Sequence, residues 1–361
     1  MNAPTHPTAA PLTDAAALSA APLADAAAWD AYVAAHPAAT PFHSRAWCEA
    51  VTEATGHPCH FVAARDAGGA ITGLLPLHHV RSPLFGQALV GTGFAVDGGL
   101  LADDDGVAAV LAAGAADVAR SLGVPSVELR GGPLPEGEGW MREQGVYAGF
   151  ARDLAGEDAA ELLAIPRKQR AEVRKVLDSG LTVTTGRDAG ERRDHYHVYA
   201  TSVRNLGTPV FPKKLFDAVL DAFGDDADIL TVRDGDRPVA SVLSLYWRGA
   251  VMPYWGGGIA EARRLRANEL MYFALMRHAR ERGCTRFDFG RSKVGTGPFA
   301  YKKNWGFEPR PLSYARWLAP GEKARDTNPN SARYRLQVDL WKKLPLWAAN
   351  RIGPLIARGL G

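Results

Sequence analysis

The sequence predicts an α+β protein in which one structural unit occurs twice, and three observations lead to this prediction. Segments with the hydrophobic pattern of strands, glycine-rich turns and one long helix follow one another in the same order in both halves of the chain. Each unit closes with glycine beside arginine, as Arg130-Gly131-Gly132 in the first half and Gly290-Arg291 in the second. The length of 361 residues exceeds what one core usually holds, which favours two domains.

The first copy follows a helix that Ser44 is expected to cap, with Trp47 and Val51 at helical spacing behind it. A hairpin is predicted next, because Asp66-Ala-Gly68-Gly69 has the composition of a tight turn between two apolar segments. The predicted elements of this copy are strands at 60–65, 71–80 and 88–93, a helix at 107–122 and a strand at 124–129.

The second copy repeats this order, with Gly256-Gly257-Gly258 before its helix. Its predicted elements are strands at 228–233, 239–247 and 250–255, a helix at 268–282 and a strand at 285–289. Two strands joined by a helix should be parallel, with a right-handed crossover. A ligand is therefore expected at the carboxyl ends of these strands, in a cleft between the two domains.

A helix-rich region is predicted between the copies, with helices at 158–179, 191–206 and 213–223. Arg167, Arg170 and Arg174 are spaced to share one helical face. Such a face is either simply solvated or suited to phosphate groups, for which the guanidinium fork is well shaped, and the sequence leaves both readings open.

Composition limits the class of protein. Hydrophobic residues make up 47% of the chain and charged residues 22%, and the net charge is +3, so no DNA partner is expected. Three cysteines without a CxxC pair indicate a reducing, cytoplasmic setting. No metal-ligand pattern occurs, so no metal site is expected. We expect a disordered leader at 1–27, domains at 28–150 and 151–320, and a separate tail at 321–361.

The tail has the composition of a basic amphipathic helical segment, interrupted at Pro345 and Pro354. From residue 328 onward, lysine and arginine outnumber a single acid, Asp339, and alternate with tryptophan and leucine. This pattern suits peripheral contact with the inner membrane, but it also suits packing or oligomer contacts, and the sequence does not choose between them.

The segment from Arg286 to Phe307 combines a buried strand, a glycine-rich turn and a cationic aromatic stretch. Arg291 and Lys302 are the candidates for stabilising an oxyanion or donor phosphates, and Lys302 rather than Lys303 is expected to face inward. Asp288 is expected either to orient a substrate or to hold the strand end.

Arg264 and Asn268 lie between the triple glycine and a helix N-terminus, where anions bind favourably, and are candidates for substrate binding. Tyr254 is a further candidate, but neighbouring residues of a strand point to opposite faces. We therefore expect Tyr254 and Trp255 not to line the cleft together.

The order of these motifs, ending in FDFGRS and GTGPFAYKKNWGF, resembles that of the FemAB-like proteins of the GNAT superfamily of N-acyltransferases. The resemblance extends over about residues 29–318 and is closest to the branch associated with the exosortase (PEP-CTERM) system and exopolysaccharide genes. It implies tandem GNAT-like domains and transfer of an acyl or aminoacyl group to an amine. It also implies that Tyr301 and Lys302 contact the donor.

The resemblance implies charged tRNA as donor, with no tightly bound cofactor, and a phosphorylated or lipid-linked acceptor of the cell envelope or an exopolysaccharide. Arg167, Arg170 and Arg174 are expected to hold the acceptor phosphates. Two alternatives stay open: acylation of a sugar amine from acyl-CoA or acyl carrier protein, and a non-catalytic assembly factor at the membrane. The loop at Gly256 lacks the Q/R-x-x-G-x-G/A pyrophosphate pattern of acetyl-CoA enzymes in this superfamily.

Overall fold

The computed structural model describes residues 18–23, 25–323 and 332–361, with side chains for all of these except 332–337. Within these residues the strands form one mixed sheet of 13 strands, with twelve α-helices around it. The strands are β1 Ser19–Pro22, β2 Cys59–Arg65, β3 Ile71–Ser82, β4 Gly86–Gly91, β5 Leu101–Ala102, β6 Ser126–Arg130, β7 Trp140–Asp153, β8 Thr182–Gly186, β9 Ala227–Asp234, β10 Arg237–Trp247, β11 Ala250–Gly258, β12 Arg286–Lys293 and β13 Pro309–Leu318. The helices are α1 Ala26–Ala35, α2 Arg45–Thr55, α3 Asp105–Leu122, α4 Asp158–Ala164, α5 Arg167–Leu177, α6 Ala189–Leu206, α7 Lys213–Phe223, α8 Ala262–Leu265, α9 Ala267–Glu281, α10 Gly297–Asn304, α11 Ala332–Lys343 and α12 Leu346–Ala357.

The two predicted copies of the β-β-β-α-β unit are both present. In the first, β4 and β6 are parallel and α3 connects them; in the second, β11 and β12 are parallel and α9 connects them. Ser44 caps α2 as predicted, with its hydroxyl oxygen accepting a hydrogen bond from the backbone of Trp47 at 3.2 Å.

Two long strands that the sequence did not reveal join the units into one sheet. The strand order is β1-β2-β3-β4-β6-β13-β7-β12-β11-β10-β9-β8, with β5 beside β3. The last strand of the second unit, β13, lies between β6 and β7 of the first unit, and β7 in turn pairs with β12. The units have therefore exchanged strands, and each completes the sheet of the other.

Three apolar clusters hold this arrangement together. Side chains of α3 pack on the first half of the sheet, and side chains of α9 pack on the second half. A third cluster joins the units, because Trp47 of α2 and Phe216 of α7 both pack against Trp255 of β11. The ring centroids of Phe216 and Trp255 are 4.7 Å apart. Burial of such large rings stabilises the position of one unit on the other.

The termini differ from the prediction. Residues 1–17, expected in the leader, lie outside the described residues, but residues 19–22 form β1, which pairs with β2 and is an edge strand of the sheet. The short alanine-rich segment is ordered because Ala20 packs against the core around α3. The single helix expected at 158–179 is two helices, since Pro166 separates α4 from α5.

The tail is not a separate element in the part that the structure describes, which excludes residues 324–331. Its helices α11 and α12 pack against α6, and the tail reaches the first unit, where the imidazole of His57 lies 2.7 Å from the carbonyl oxygen of Arg358. Pro345 separates α11 from α12 as expected, whereas Pro354 remains inside α12. Among the described residues, no helix has the length and apolar character needed to cross a membrane.

Candidate functional site

A pocket with a volume of about 300 Å³ lies between the two units, where β11 and β12 diverge. Its position agrees with the cleft predicted at the carboxyl ends of the parallel strands. It is lined by aromatic rings, backbone and three cationic side chains: Phe94, Ala95, Val96, Arg130, Phe211, Pro253, Tyr254, Trp255, Gly256, Tyr272, Phe289, Gly290, Arg291, Lys302 and Gly361.

Tyr254 and Trp255 both line this pocket, so the expectation that only one of them could do so is wrong. The reason is a bulge in β11. Leu243 pairs with Trp255 and Ser244 with Pro253, which leaves Tyr254 without a partner in the register. The two rings contact each other edge to face, and the Tyr254 hydroxyl donates a hydrogen bond to the Phe94 carbonyl of the first unit at 2.7 Å.

Two features position the Arg291 side chain: a register shift in β12, and aromatic rings on the exchanged strands β7 and β13. The register between β12 and β7 shifts between Asp288 and Arg291. The Arg291 guanidinium lies over the rings of Tyr147 of β7 and Tyr314 of β13, at 4.7 and 5.4 Å from their centroids. It also donates a hydrogen bond to the Tyr314 hydroxyl at 2.6 Å. Arg291 is thus a fixed cation at the pocket wall.

Lys302 faces the pocket from α10, while Lys303 is exposed. Its ammonium group donates a hydrogen bond to the Arg291 carbonyl at 2.9 Å and lies 5.3 Å from the centroid of the Phe289 ring. Burial lowers the pKa of Lys302 to about 7; the carboxylate of Asp288 opposes this shift and the charge of Arg291 adds to it. Near neutral pH this side chain therefore exists in both charged and neutral forms.

Asp288 lies behind the pocket rather than in its lining. Its carboxylate accepts a hydrogen bond from the backbone of Gly290 at 2.8 Å, within the register shift of β12 against β7. Burial raises the pKa of Asp288, with the Gly290 hydrogen bond and Lys302 opposing the shift. A second half-buried carboxyl, Asp97 of the first unit, lies close enough for the charge of Asp288 to raise its pKa further, in addition to burial. Asp97 did not emerge from the sequence.

The structure places several predicted residues away from the pocket lining. Tyr301 points into the core beside Tyr272 and Trp305, with its hydroxyl buried and without a hydrogen-bond partner among the described residues. The three arginines of α5 also lie outside the lining; two are exposed and the middle one is half-buried. These three residues are Arg167, Arg170 and Arg174.

The N-terminus of α9 lies beside the end of β11. Arg266 precedes it with φ of 58° and does not cap it with its side chain, and Arg264 is exposed nearby. The Asn268 side-chain oxygen is buried and has no hydrogen-bond partner among the described residues. It approaches Gly258 so closely that a Cβ atom there would be 2.8 Å away from it. The charges here are mixed, with Glu269 in the first turn and Arg266 paired with Glu172, but the helix start has no side-chain cap, and such a helix start suits an anion.

Arg130 is the principal pocket residue that the sequence reasoning did not select. Its guanidinium donates hydrogen bonds to the carbonyl oxygens of Ala95 and Gly361, each at 3.0 Å. The repeat offered a signal, because Arg130 closes the first unit as Arg291 closes the second. Arg130 also lines a second pocket of about 410 Å³ on the face of β6, β13 and β7, which includes Arg316 and Glu143.

Comparison with known proteins identifies the second unit. A family model described as an acetyltransferase (GNAT) domain matches residues 166–303. Residues 166–303 are therefore similar to a GNAT domain, and the chain is an acyltransferase. The GNAT domain contains β11, α9, β12 and α10, and therefore Arg291 and Lys302. The finding sets aside the non-catalytic interpretation.

Solved structures support tandem domains. FemX superposes with a TM-score of 0.64 at 16% identity, covering 83% of this chain and 97% of that one. A tandem GNAT protein from the clavulanic acid biosynthesis pathway gives 0.50 at 15% identity, covering 85% and 100%. The C-terminal domain of a putative lysylphosphatidylglycerol synthetase from Agrobacterium fabrum gives 0.50 at 13% identity, covering 75% and 86%. The predicted tandem GNAT-like fold is confirmed. No curated protein matches the sequence.

Proposed function

We propose that this acyltransferase is a FemAB-like enzyme that moves an aminoacyl or other acyl group onto an amine of a cell-envelope or exopolysaccharide precursor. The observation that carries the proposal is the position of Lys302. Its ammonium group lines a half-enclosed pocket between two GNAT-like units, beside the fixed cation Arg291. The specific link to exosortase-associated proteins stays a prediction.

The reaction would be direct aminolysis of an activated ester or thioester. The neutral amine of the acceptor attacks the carbonyl carbon, a new C–N bond forms, and the carbonyl oxygen becomes an oxyanion. The C–O or C–S bond then breaks, and the amine gives up a proton while the departing hydroxyl or thiol gains one. Charged Lys302 would stabilise the oxyanion, with Arg291 reinforcing the positive potential. Binding both substrates in one pocket would supply orientation.

The donor would lie along the GNAT domain with its phosphates at the N-terminus of α9. Exposed Arg264 would supply positive charge there, and the Asn268 side-chain oxygen, which has no partner among the described residues, would accept a hydrogen bond from an N–H or O–H group of the acyl donor. The volume of about 300 Å³ suits the acyl end of the donor rather than a whole nucleotide. The remainder of the donor would therefore extend over the surface.

The acceptor would enter from the second pocket, because Arg130 lines both pockets. That pocket contains Arg142 and Arg316 together with Glu128 and Glu143, so it can pair with both phosphate and amine groups. Arg316 lines this pocket, and its buried Nε has no hydrogen-bond partner among the described residues. The exposed arginines of α5 remain candidates for the outer phosphates of a large substrate.

Two kinds of acyl donor are candidates, an aminoacyl ester and an acyl thioester, and a separate observation favours each of them. FemX and the Agrobacterium protein share the fold, and the name of the latter refers to a lysylated lipid, which agrees with an aminoacyl donor. GNAT domains typically use acyl-CoA, which agrees with a thioester from coenzyme A or acyl carrier protein.

A binding titration tests the proposal. Purified protein is titrated with charged tRNA and, separately, with acyl-CoA, at two salt concentrations, beside a Lys302→Ala variant. Tight, Lys302-dependent binding of charged tRNA that weakens as salt rises would support aminoacyl transfer. Binding of acyl-CoA, with thiol released when an amine is added, would support the thioester donor. Binding of neither would contradict the proposal.

A further inference from the structure

The outer face of the tail has an unusual distribution of side chains. In α12 the residues that face the protein are small: Ala349, Gly353 and Ala357 are buried, one turn apart. The large apolar residues point outward, with Trp347 74% exposed and Leu355 63% exposed. A surface helix of a globular protein normally shows the opposite pattern.

The exposed apolar residues continue beyond α12. Leu340 of α11 is 58% exposed, and Leu206 lies at the end of α6, next to the Gly207 position where α11 packs. We call the surface formed by Leu206, Leu340, Trp347, Ile352 and Leu355 the tail surface. Large exposed apolar side chains concentrated on two neighbouring helices, with exposed cations among them, are a feature of surfaces that contact a membrane or another protein.

Charge identifies the partner. Lys342, Lys343, Arg351 and Arg358 are exposed around the tail surface. Asp339 is the single acid between residues 338 and 361, and it lies 3.6 Å from Lys342. A second copy of the chain docked symmetrically here would bring these cations against each other. An anionic surface would instead complement them.

We propose that the tail surface docks the protein on an anionic lipid bilayer as an interfacial element. Trp347 and the leucines would enter the boundary between headgroups and acyl chains, and the four cations would pair with the headgroups. The small buried residues let α12 lie close to the loop that follows α6, where a Cβ atom on Gly353 would be 3.3 Å from Cγ1 of Val210. The tail surface is therefore held rigidly on the acyltransferase.

The position of the tail links this surface to the site. The chain after α12 runs to Gly361, whose carbonyl oxygen accepts a hydrogen bond from Arg130 in the pocket. A bilayer beneath α12 would therefore lie beside the pocket, where a lipid-linked acceptor could reach it. This last step rests on the proposed function, whereas bilayer docking itself does not.

The test is co-sedimentation of the full chain with vesicles of phosphatidylcholine alone or with added phosphatidylglycerol. We expect binding only to the anionic vesicles, and weaker binding at higher salt. Trp347→Ser with Leu355→Ser should abolish it. Lys343→Gln with Arg351→Gln should reduce it, by about fivefold for each charge. Leu163→Ser, at a position that is 65% exposed on α4, is the matched control and should bind normally.

Folding and function are kept separate in this experiment. All substituted side chains are exposed, so the thermal midpoints should equal that of the wild type, and vesicle binding requires no turnover. The proposal is wrong if the wild type does not bind anionic vesicles, or if the double variant Trp347→Ser with Leu355→Ser binds them as well as Leu163→Ser does. A wild-type dimer that these substitutions dissociate would likewise overturn it, in favour of a protein contact.

Discussion

The two units share a fold but differ at the N-terminus of the helix that follows the third main strand. In the first unit, Asp104 caps α3 by accepting a hydrogen bond from the backbone of Val107 at 2.8 Å, and Asp105 adds a second negative charge. In the second unit, α9 has no side-chain cap, and Arg264 is exposed nearby. Both helices have an acid in the first turn, Asp105 in α3 and Glu269 in α9, so the difference is the cap: the backbone N–H groups at the start of α9 have no side-chain cap and suit an anion. Under the proposed function the second unit would bind the donor, while the first unit contributes Phe94, Ala95, Val96 and Arg130 to the pocket wall.

The largest effect should come from substitution of Lys302. The second unit contributes this lysine to the pocket, and among the described residues the first unit contributes no lysine to the pocket lining. Lys302→Ala should lower kcat by about 10²- to 10³-fold, because the transition state loses a cation in a partly buried site. Steady-state kinetics with the donor identified by titration would measure this. Unchanged turnover would contradict the role proposed for Lys302.

The same residue predicts a pH dependence. With its pKa lowered to about 7, Lys302 loses its proton as the pH rises above 7, so stabilisation of the oxyanion should decline on the alkaline side. Lys302→Arg should retain part of the activity and lose this alkaline decline, because arginine stays charged. A pH profile with the same alkaline decline in both proteins would assign it to another group.

The next effect should come from making α9 resemble α3. Arg264→Glu places an acid near the uncapped helix end and should raise the KM for the donor by about tenfold, or ~1.4 kcal/mol, with little change in kcat. Lys214→Glu, at an exposed position on α7, is the charge-matched control. Equal effects of the two substitutions would indicate general electrostatics rather than a donor site.

A smaller effect should come from the exchanged strand β13. Tyr314→Phe keeps the ring beneath Arg291 but removes the hydroxyl, which accepts a hydrogen bond from Arg291 and donates a long one, of 3.5 Å, to the Val96 carbonyl. Loss of the bond to Arg291 should reduce kcat/KM by about fivefold, or ~1 kcal/mol. The kinetics of Tyr147→Phe provide the comparison, since Tyr147 contacts Arg291 only through its ring.

The smallest kinetic effect should come from the first unit. Asp104→Ala removes the cap of α3 and should lower the free energy of unfolding by about 1 kcal/mol while leaving the KM for the donor unchanged. Chemical denaturation and donor titration of the same protein would check both parts. A change in donor affinity would show that the first unit also binds the donor.

The sequence predicted the units because their strands and helices carry local signals. Turn glycines, the Ser44 cap and the periodicity of the long helices depend on neighbouring residues alone. The position of the pocket could be predicted because ligands bind at the carboxyl ends of parallel strands, and Arg291 and Lys302 follow the last of these predicted strands in the sequence. The prediction for Tyr254 was wrong because it assumed that side chains alternate strictly between the two faces of a strand. The bulge in β11 breaks this alternation, and it arises from the pairing of β11 with β10, which the sequence of β11 alone does not reveal.

The strands β7 and β13 escaped prediction for physical reasons. The first half of β7 is largely exposed and lacks an apolar alternation, and β13 contains Pro309 and Pro311, which normally argue against an inner strand. As a result, Tyr147 and Tyr314 could not be associated with Arg291. The predicted domain boundary at residue 150 falls within β7 for the same reason.

The exchange of β7 and β13 has a consequence for synthesis of the chain on the ribosome. The first unit is made first, yet β6 must wait for β13, the last strand to emerge, before its edge is paired. Until then an unpaired strand edge is exposed, which invites association with another chain. Ending translation before residue 309 should therefore damage the first half of the protein as much as the second.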